Sequence, residues 1–197
     1  MYGGVFISVD GPNAVGKGTY ITALSEALSV KHNIYVTKEP TTTRLGLFAK
    51  TNEGELSGLP YAYVIAADRC LHIEREILPH LQNGDVVISD RYVDSSFALQ
   101  KYDGVSFETL WTLNSKFIIP NLSILLLANP DVITKRLEQR KELSSFEKRM
   151  TRQEEIEYYS NAVHFLSSKG YSFLVQQNNT TKDLAANIQE ALSRLLL

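Results

Sequence analysis

Val5 to Val30 reads VFISVDGPNAVGKGTYITALSEALSV, and this stretch decides the fold. Val5–Val9 is a short apolar run rich in β-formers. Tyr20–Val30 places Ile21, Leu24, Ala27 and Leu28 at helical spacing. Between them lies a glycine-rich turn, Gly11 to Thr19. Strand, turn and helix give a G-x-x-x-x-G-K pattern the context of a phosphate-binding loop. Here Gly18 separates Lys17 from Thr19, so the hydroxyl moves one place along the helix. Successive amides of Gly11, Asn13, Ala14, Val15, Gly16, Lys17, Gly18 and Thr19 can wrap an anion at the positive end of a helix. Lys17 adds a full charge near the β- and γ-phosphates of ATP, and the Thr19 hydroxyl can ligate Mg²⁺. A glycine turn with a chance lysine is the alternative, and it leaves the flanking strand and helix unexplained.

The chain of 197 residues fits one domain, and 44% apolar residues suffice for a core. A net charge of −2 with no basic tract argues against nucleic-acid binding. The single cysteine, Cys70, excludes an internal disulfide and fits a reducing compartment. Its apolar-periodic surroundings suggest a small buried hydrophobe. No apolar run approaches the roughly 18–20 residues of a membrane span. Met1-Tyr2-Gly3-Gly4 lacks the basic start of a signal peptide. A soluble, cytoplasmic protein with no membrane or nucleic-acid partner is expected.

Apolar runs of strand type alternate with longer helical patterns, the signature of βαβ units and a parallel sheet. Strands are expected at Val5–Val9, Ile34–Thr37, Val86–Ser89, Ser123–Leu127 and Ser172–Val175. Helices are expected at Gly18–Val30, Arg44–Asn52, Tyr61–Gln82, Ser95–Lys101, Phe107–Phe117, Pro130–Lys141, Thr151–Ser168 and Lys182–Leu196. In the long third helix Val64, Ala67, Leu71, Ile73, Ile77, Leu78 and Leu81 form the apolar side, and Pro79 should kink it or nearly end it. The fold class is α/β, three layers around a parallel five-stranded sheet, a single domain over 1–197 with a short lid at about 141–151.

Ligands gather at the carboxyl ends of the strands in such sheets. Those exits carry the charges: Asp10, then Lys38-Glu39-Pro40, then Asp90-Arg91-Tyr92. Asp90 can hold Mg²⁺ through water, and Arg91 can fork onto a phosphate. A structural Asp–Arg pair is the alternative there. Glu39 could orient a substrate hydroxyl or a magnesium-bound water. Arg69, on the long helix, is a candidate for an acceptor phosphate, or for an ion pair within the helix. The basic-rich segment from Lys135 to Arg152 reads as a lid. Phosphoryl transfer needs positioning and charge neutralisation, and one of Arg140, Arg149 or Arg152 would supply the cation. His32, His72, His80 and His164 show no metal-ligand spacing.

GPNAVGKGT, Thr37-Lys38-Glu39-Pro40, Ala66-Ala67-Asp68-Arg69 and LPHLQNGDVVISDRYVDSSFALQ (Leu78–Gln100) resemble the thymidylate kinases, in order over nearly the whole chain. The resemblance implies transfer of the ATP γ-phosphoryl group to dTMP with Mg²⁺. By position, the loop and Lys17 would hold ATP, and Arg69 and Arg91 would grip the acceptor phosphate and the transferred group. Pro40 would border the ring or sugar, with Ser96 and Gln100 near the base. Thr19 and Asp90 would serve the metal, and Asp10 would lie on the substrate side. Several positions depart from the family pattern. Asn13 replaces an acid and Lys38 an arginine, and Thr41-Thr42 replaces glycines. Ile65 stands for a base-stacking aromatic and Leu99 for a tyrosine against the sugar. Leu127 replaces an acid, and Ser144-Ser145 the lid's Asp-Arg pair. The phosphate machinery is thus better kept than the base and sugar pocket.

Three readings follow: a nucleoside monophosphate kinase with dTMP as acceptor, a kinase of another nucleotide, nucleoside or small hydroxyl compound, and a catalytically weakened nucleotide-binding regulator. Two retained arginines favour an anionic acceptor. The resemblance also suggests a homodimer, with Ser95–Lys101 and the long helix as candidate surfaces and Phe97, Leu99 and Trp111 as candidate contacts.

Overall fold

The computed structural model describes residues 2–195. Strands β1 (Val5–Asp10), β2 (Ile34–Lys38), β3 (Val86–Asp90), β4 (Leu122–Leu127) and β5 (Phe173–Gln177) form one sheet in the order β2-β3-β1-β4-β5. Every pairing is parallel, with Ile7 opposite both Ile88 and Leu122. The five expected strands are all present, each with its ends moved by no more than two residues.

Helices cover both faces: α1 (Lys17–Leu28), α2 (Arg44–Thr51), α3 (Gly58–His72), α4 (Leu78–Gln82), α5 (Val93–Tyr102), α6 (Phe107–Asn114), α7 (Pro130–Leu137), α8 (Ser145–Arg149), α9 (Arg152–Ser167) and α10 (Thr181–Leu195). Alternate strand residues feed opposite layers, as the pleat requires. Ile7, Val9, Ile88 and Ile124 pack beneath Tyr20 and Leu24 of α1 and Ile188 of α10. Phe6, Val87 and Leu125 pack against Phe97 of α5 and Tyr159 and Leu166 of α9. A third cluster joins Ala49, Tyr61, Ile65 and Leu99 to Phe146 and Met150 from the far end of the chain.

The long helix departs from expectation twice. Pro79 lies three residues before the helix ends at Gln82, as expected, but the α-helical ladder already changes ahead of it. A π-helical turn at Ile73–Ile77 precedes α4, and the Leu78 N–H bonds back to the Ile73 carbonyl. Pro79 has no N–H for the ordinary ladder and crowds the carbonyl four residues earlier; the wider turn places that crowding where the chain already bulges. The buried face also differs. It carries Tyr61, Ala62, Ile65 and Ala66 but also Asp68, Arg69 and His72, while Ala67 and Cys70 face solvent. Cys70 is therefore exposed rather than a core hydrophobe.

Smaller differences lie at helix ends. Phe107–Phe117 stops at Asn114, Pro130–Lys141 stops at Leu137, and α8 forms inside the segment expected to be a lid. Ser144 and Thr151 close capping boxes with Glu147 and Glu154, which fixes where α8 and α9 begin. The last helix was expected to reach Leu196, which lies outside the described residues. Among the described residues no helix is long and apolar enough to cross a membrane.

Candidate active site

The loop after β1 has the shape its glycines require. Gly11 (φ 139°) lies so close to the sheet that a Cβ would stand 2.2 Å from the Leu126 carbonyl oxygen, and Gly16 has φ 101°. Lys17 Nζ folds back to donate to the Gly11 and Pro12 carbonyls at 2.9 and 3.0 Å. Burial, and then the Arg91 guanidinium, push its pKa down to about 7. A cavity of about 420 Å³ opens over the loop, bordered by Lys17, Gly18, Thr19, Asp90, Arg136 and Arg140.

Arg91 stands at the inner end of that cavity with a left-handed backbone, φ 72°. Its guanidinium donates to Ser95 Oγ at 3.0 Å, Tyr159 Oη at 2.7 Å and Asn13 Oδ1 at 2.8 Å. Burial opposes its charge, but Tyr159, Asp90 and Asp10 hold the guanidinium above its ordinary pKa, so it stays cationic. The Asn13 backbone N–H and side-chain Nδ2 both donate to Glu155 Oε1 at 2.9 Å. One neutral amide therefore bridges a carboxylate of α9 to the arginine after β3. An aspartate at position 13 would face Glu155 with like charge and lose one donor.

Asp10 does not reach the substrate side as expected. It is fully buried, accepting from the Tyr92 N–H at 2.9 Å and from the Ser95 hydroxyl. Burial raises the pKa of Asp10, and burial together with Asp10 raises that of Asp94 well above the usual carboxylate range. Asp10 is thus a positioning residue: it fixes the turn that presents Arg91.

A second cavity, of about 300 Å³, lies beyond Arg91 between α2, α3 and α5. Pro40, Ile65, Ser96, Leu99 and Gln100 border it. Arg69 borders it too. Its Nε donates to Glu39 at 2.8 Å, and its other nitrogens donate to Asn114, the Tyr92 carbonyl and Ser96. Four of its five N–H groups are thus taken, which fixes the guanidinium in the cavity wall and leaves one N–H uncommitted. Glu39, which also borders the cavity, is held in turn, one oxygen on Arg69 and the other 3.1 Å from His72 Nδ1. His72 continues to Thr37 at 2.7 Å, and Thr37 to Glu76 at 2.9 Å. Asp68 accepts from the Thr41 N–H and from the hydroxyls of Thr41 and Thr43. The threonine after Pro40 therefore pins the loop.

The lid candidates separate cleanly. Arg140 borders the loop cavity and pairs with Glu147 at 2.6 Å. Arg149 is tied to Asp103 at 2.7 Å on the acceptor side and does not face the loop, contrary to expectation. Arg152 donates to the Glu147 and Met150 carbonyls. Phe146 plugs the α2–α3–α5 cluster, 3% exposed, and borders the acceptor cavity. Arg136, Glu155, Tyr159 and Phe146 were missed. Arg136 holds the carbonyls of Val15, Asn178 and Asn179 at 2.9–3.1 Å. Only Phe146 carried a signal, as the one aromatic residue within 141–151.

Comparison with known proteins agrees with this geometry. The family model described as thymidylate kinase matches residues 9–193. The chain belongs to the thymidylate kinase family. Among relatives, a probable thymidylate kinase of Pyrobaculum aerophilum is 30% identical over 97% of both chains. One of Caldivirga maquilingensis is 34% identical over 73% of both, and a thymidylate kinase of Exiguobacterium is 32% identical over 74% of both. The chain is thus an ATP-dependent nucleoside monophosphate kinase, and dTMP is the acceptor that its family membership carries. Within that family its departures have local reasons. Asn13 suits Glu155, Thr41 suits Asp68, and Ser144 caps the lid helix in place of a charged residue.

The expected dimer surface on Ser95–Lys101 does not face outward, because Val93 through Gln100 are buried inside the monomer. Phe97 and Leu99 belong to its core, and Trp111 packs on Phe165 of the same chain.

Proposed function

We propose that the γ-phosphoryl group passes from ATP in the loop cavity to the 5′-phosphate of dTMP in the neighbouring one, across Arg91. One observation carries this: Asn13 and Arg91 are the residues that border both cavities. A cation fixed between two anion-binding spaces neutralises charge that builds up on the transferring group. The loop amides and Lys17 hold the donor, Arg140 approaches it from the lid side, and the acceptor's base lies towards Gln100. With α8 bordering the acceptor cavity through Phe146 and tied through Glu147 to Arg140 at the loop cavity, the lid helps keep water from the phosphoryl group.

Thr19 and Asp90 would hold Mg²⁺. The carboxylate atom Asp90 Oδ1 is buried without a partner, and both residues border the loop cavity. Among the described residues no cluster of three or more acidic, histidine or cysteine side chains could cage a metal. Such a sparse oxygen set suits an ion that keeps waters and phosphate ligands. When bound, it would neutralise charge on the donor phosphates.

The reading extends to a cytoplasmic enzyme with no nucleic-acid or membrane partner, a single domain with a lid over about 141–151. A homodimer would use the outer face of the α2–α3 pair, where Leu47, Phe48, Leu59 and Tyr63 are exposed. Incubation of the purified protein with MgATP and dTMP, with products separated by ion-exchange chromatography, tests the activity. Equal amounts of ADP and dTDP are expected; ADP without dTDP would sink the assignment.

A further inference from the structure

The side-chain amide of Asn13 has no freedom. Its Nδ2, like its backbone N–H, donates to Glu155 Oε1 at 2.9 Å, and its Oδ1 accepts from Arg91 at 2.8 Å. A carboxylate can only accept and a guanidinium can only donate, so one orientation of the amide serves both neighbours and the turned-over one serves neither. Among side chains of that length, an aspartate lacks the donor and a leucine lacks both donor and acceptor. Asn13 therefore couples Glu155, in the first turn of α9, to the cation that borders both cavities.

The other oxygen of Glu155 is unused. Glu155 is 1% exposed, and its Oε2 has no hydrogen-bond partner among the described residues. Facing it at 3.9 Å is Nη1 of Arg152, three residues earlier on α9, which is also buried without a hydrogen bond. Two opposite charges out of water with the bond between them unmade are costly, and a charge-assisted bond needs them about 1 Å closer. Arg152 is drawn the other way: its Nη2 donates to the Glu147 and Met150 carbonyls at the end of α8. Glu147 in turn takes Arg140 at the loop cavity. Polar contacts thus run from the lid to Arg91 by way of Arg140, Glu147, Arg152, Glu155 and Asn13, and one link of that chain, Arg152 to Glu155, stands open.

We infer that Glu155 is a positioning residue of phosphoryl transfer: through the Asn13 amide it aims the Arg91 guanidinium, and through Arg152 it registers where the lid helix sits. The inference rests on the reading that Arg91 neutralises charge on the group passing between the two cavities. Glu155 itself borders neither cavity, so it contributes aim and not charge at the reacting atoms. Aim matters there, because misplacing a group by about 1 Å can cost about 100-fold in rate. A shift of α8 that lets Arg152 settle on Glu155 fixes the carboxylate by both oxygens, and the Asn13 amide and Arg91 with it. A carboxylate that merely capped the Asn13 N–H would hold the loop alone, and its loss would show in ATP binding and not in turnover.

A double-mutant cycle in kcat and KM, with MgATP and dTMP, tests this. Glu155→Gln keeps the size and an acceptor for Asn13 and removes the charge. We expect kcat to fall by about tenfold or more while both KM values stay within about threefold. Arg91→Ala combined with Glu155→Gln should be slower than Arg91→Ala alone by no more than about threefold, since the glutamate acts only through the arginine. An unchanged kcat, losses that multiply, or a rise confined to the ATP KM would overturn the inference and leave transfer across Arg91 standing. An Arg91→Ala enzyme as fast as the native one would sink that reading, and the inference with it. Asn13→Asp sets two carboxylates face to face and should be slower than Glu155→Gln. Joined to Glu155→Gln it should recover by about tenfold or more, because amide and carboxylate have then changed places. No recovery would show that the Asn13 link does not aim Arg91. Arg152→Met should cost more kcat in the native enzyme than in the E155Q enzyme; equal costs would overturn the tie to the lid. Should Glu155→Gln not fold, Glu155→Asp, which keeps the charge and withdraws it by one methylene, enters the same cycle with Arg91→Ala.

Discussion

Lys17 carries the most unusual electrostatics of any single residue at the loop. With a pKa near 7, part of the free enzyme has an uncharged Lys17 at neutral pH. A bound triphosphate favours the ammonium and moves the value back up. The complex therefore takes up a proton that the free enzyme has lost, and affinity falls as pH rises above 7, by at most about tenfold per unit. Titration calorimetry with an ATP analogue from pH 6.5 to 8.5 should show this slope and proton uptake, and Lys17→Met should flatten both. Arg91 is the complement, always charged and placed between the two cavities. Arg91→Ala should lower kcat/KM by several orders of magnitude while ATP affinity changes far less, because the group acts on the transition state. At this scale the loop and the Asp90-Arg91 pair were legible, since an apolar strand that ends abruptly in charge marks the ligand-binding edge of a parallel sheet. The buried place of Asp10 was not, nor was the set of wall partners of Arg69. A charged residue in a site pattern reads as a ligand contact, and nothing in the sequence tells that Glu39, Asn114, Tyr92 and Ser96 also hold the guanidinium.

Elements were legible where their pattern is apolar and misread where it is not. The β1 to α1 unit follows its periodicity closely. In α3 the apolar stripe pointed partly the wrong way, because the buried face carries Asp68, Arg69 and His72 for the acceptor wall. Two variants probe elements directly. At Gly18 a Cβ would meet no protein atom within 4 Å. Gly18→Ala should therefore leave the fold intact and add up to about 1 kcal/mol of helix stability. A simultaneous rise in KM for ATP would show that the open space there belongs to a phosphate. In α8, Phe146→Ala removes an aromatic plug, a change that costs about 3–5 kcal/mol in a core. Five residues cannot stay docked without it, so cleavage by limited proteolysis should appear within 141–151. The dTMP KM should rise, while the melting temperature of the body moves little.

For the whole molecule, two ligand spaces share one rigid sheet edge, so binding should register globally. At 100 times its Kd a ligand adds about 2.7 kcal/mol of stability. For a chain of 197 residues that amounts to roughly 5–10 °C in Tm. Thermal scanning with MgATP analogue and dTMP, singly and together, checks this; no shift with either would contradict two formed sites. The global architecture was the most legible level, because strand and helix alternation and one glycine loop suffice to order the layers.

The short helix α8 has a foot in each substrate's territory. On one side Arg140 leans on Glu147 beside the donor space, and on the other Phe146 and Arg149 are fastened to the acceptor half. A latch built this way feels the arrival of either nucleotide. When triphosphate draws Arg140 off Glu147, the hold on the opposite side is altered too. Donor and acceptor therefore cannot be independent visitors: the apparent affinity for each must depend on how much of the other is present.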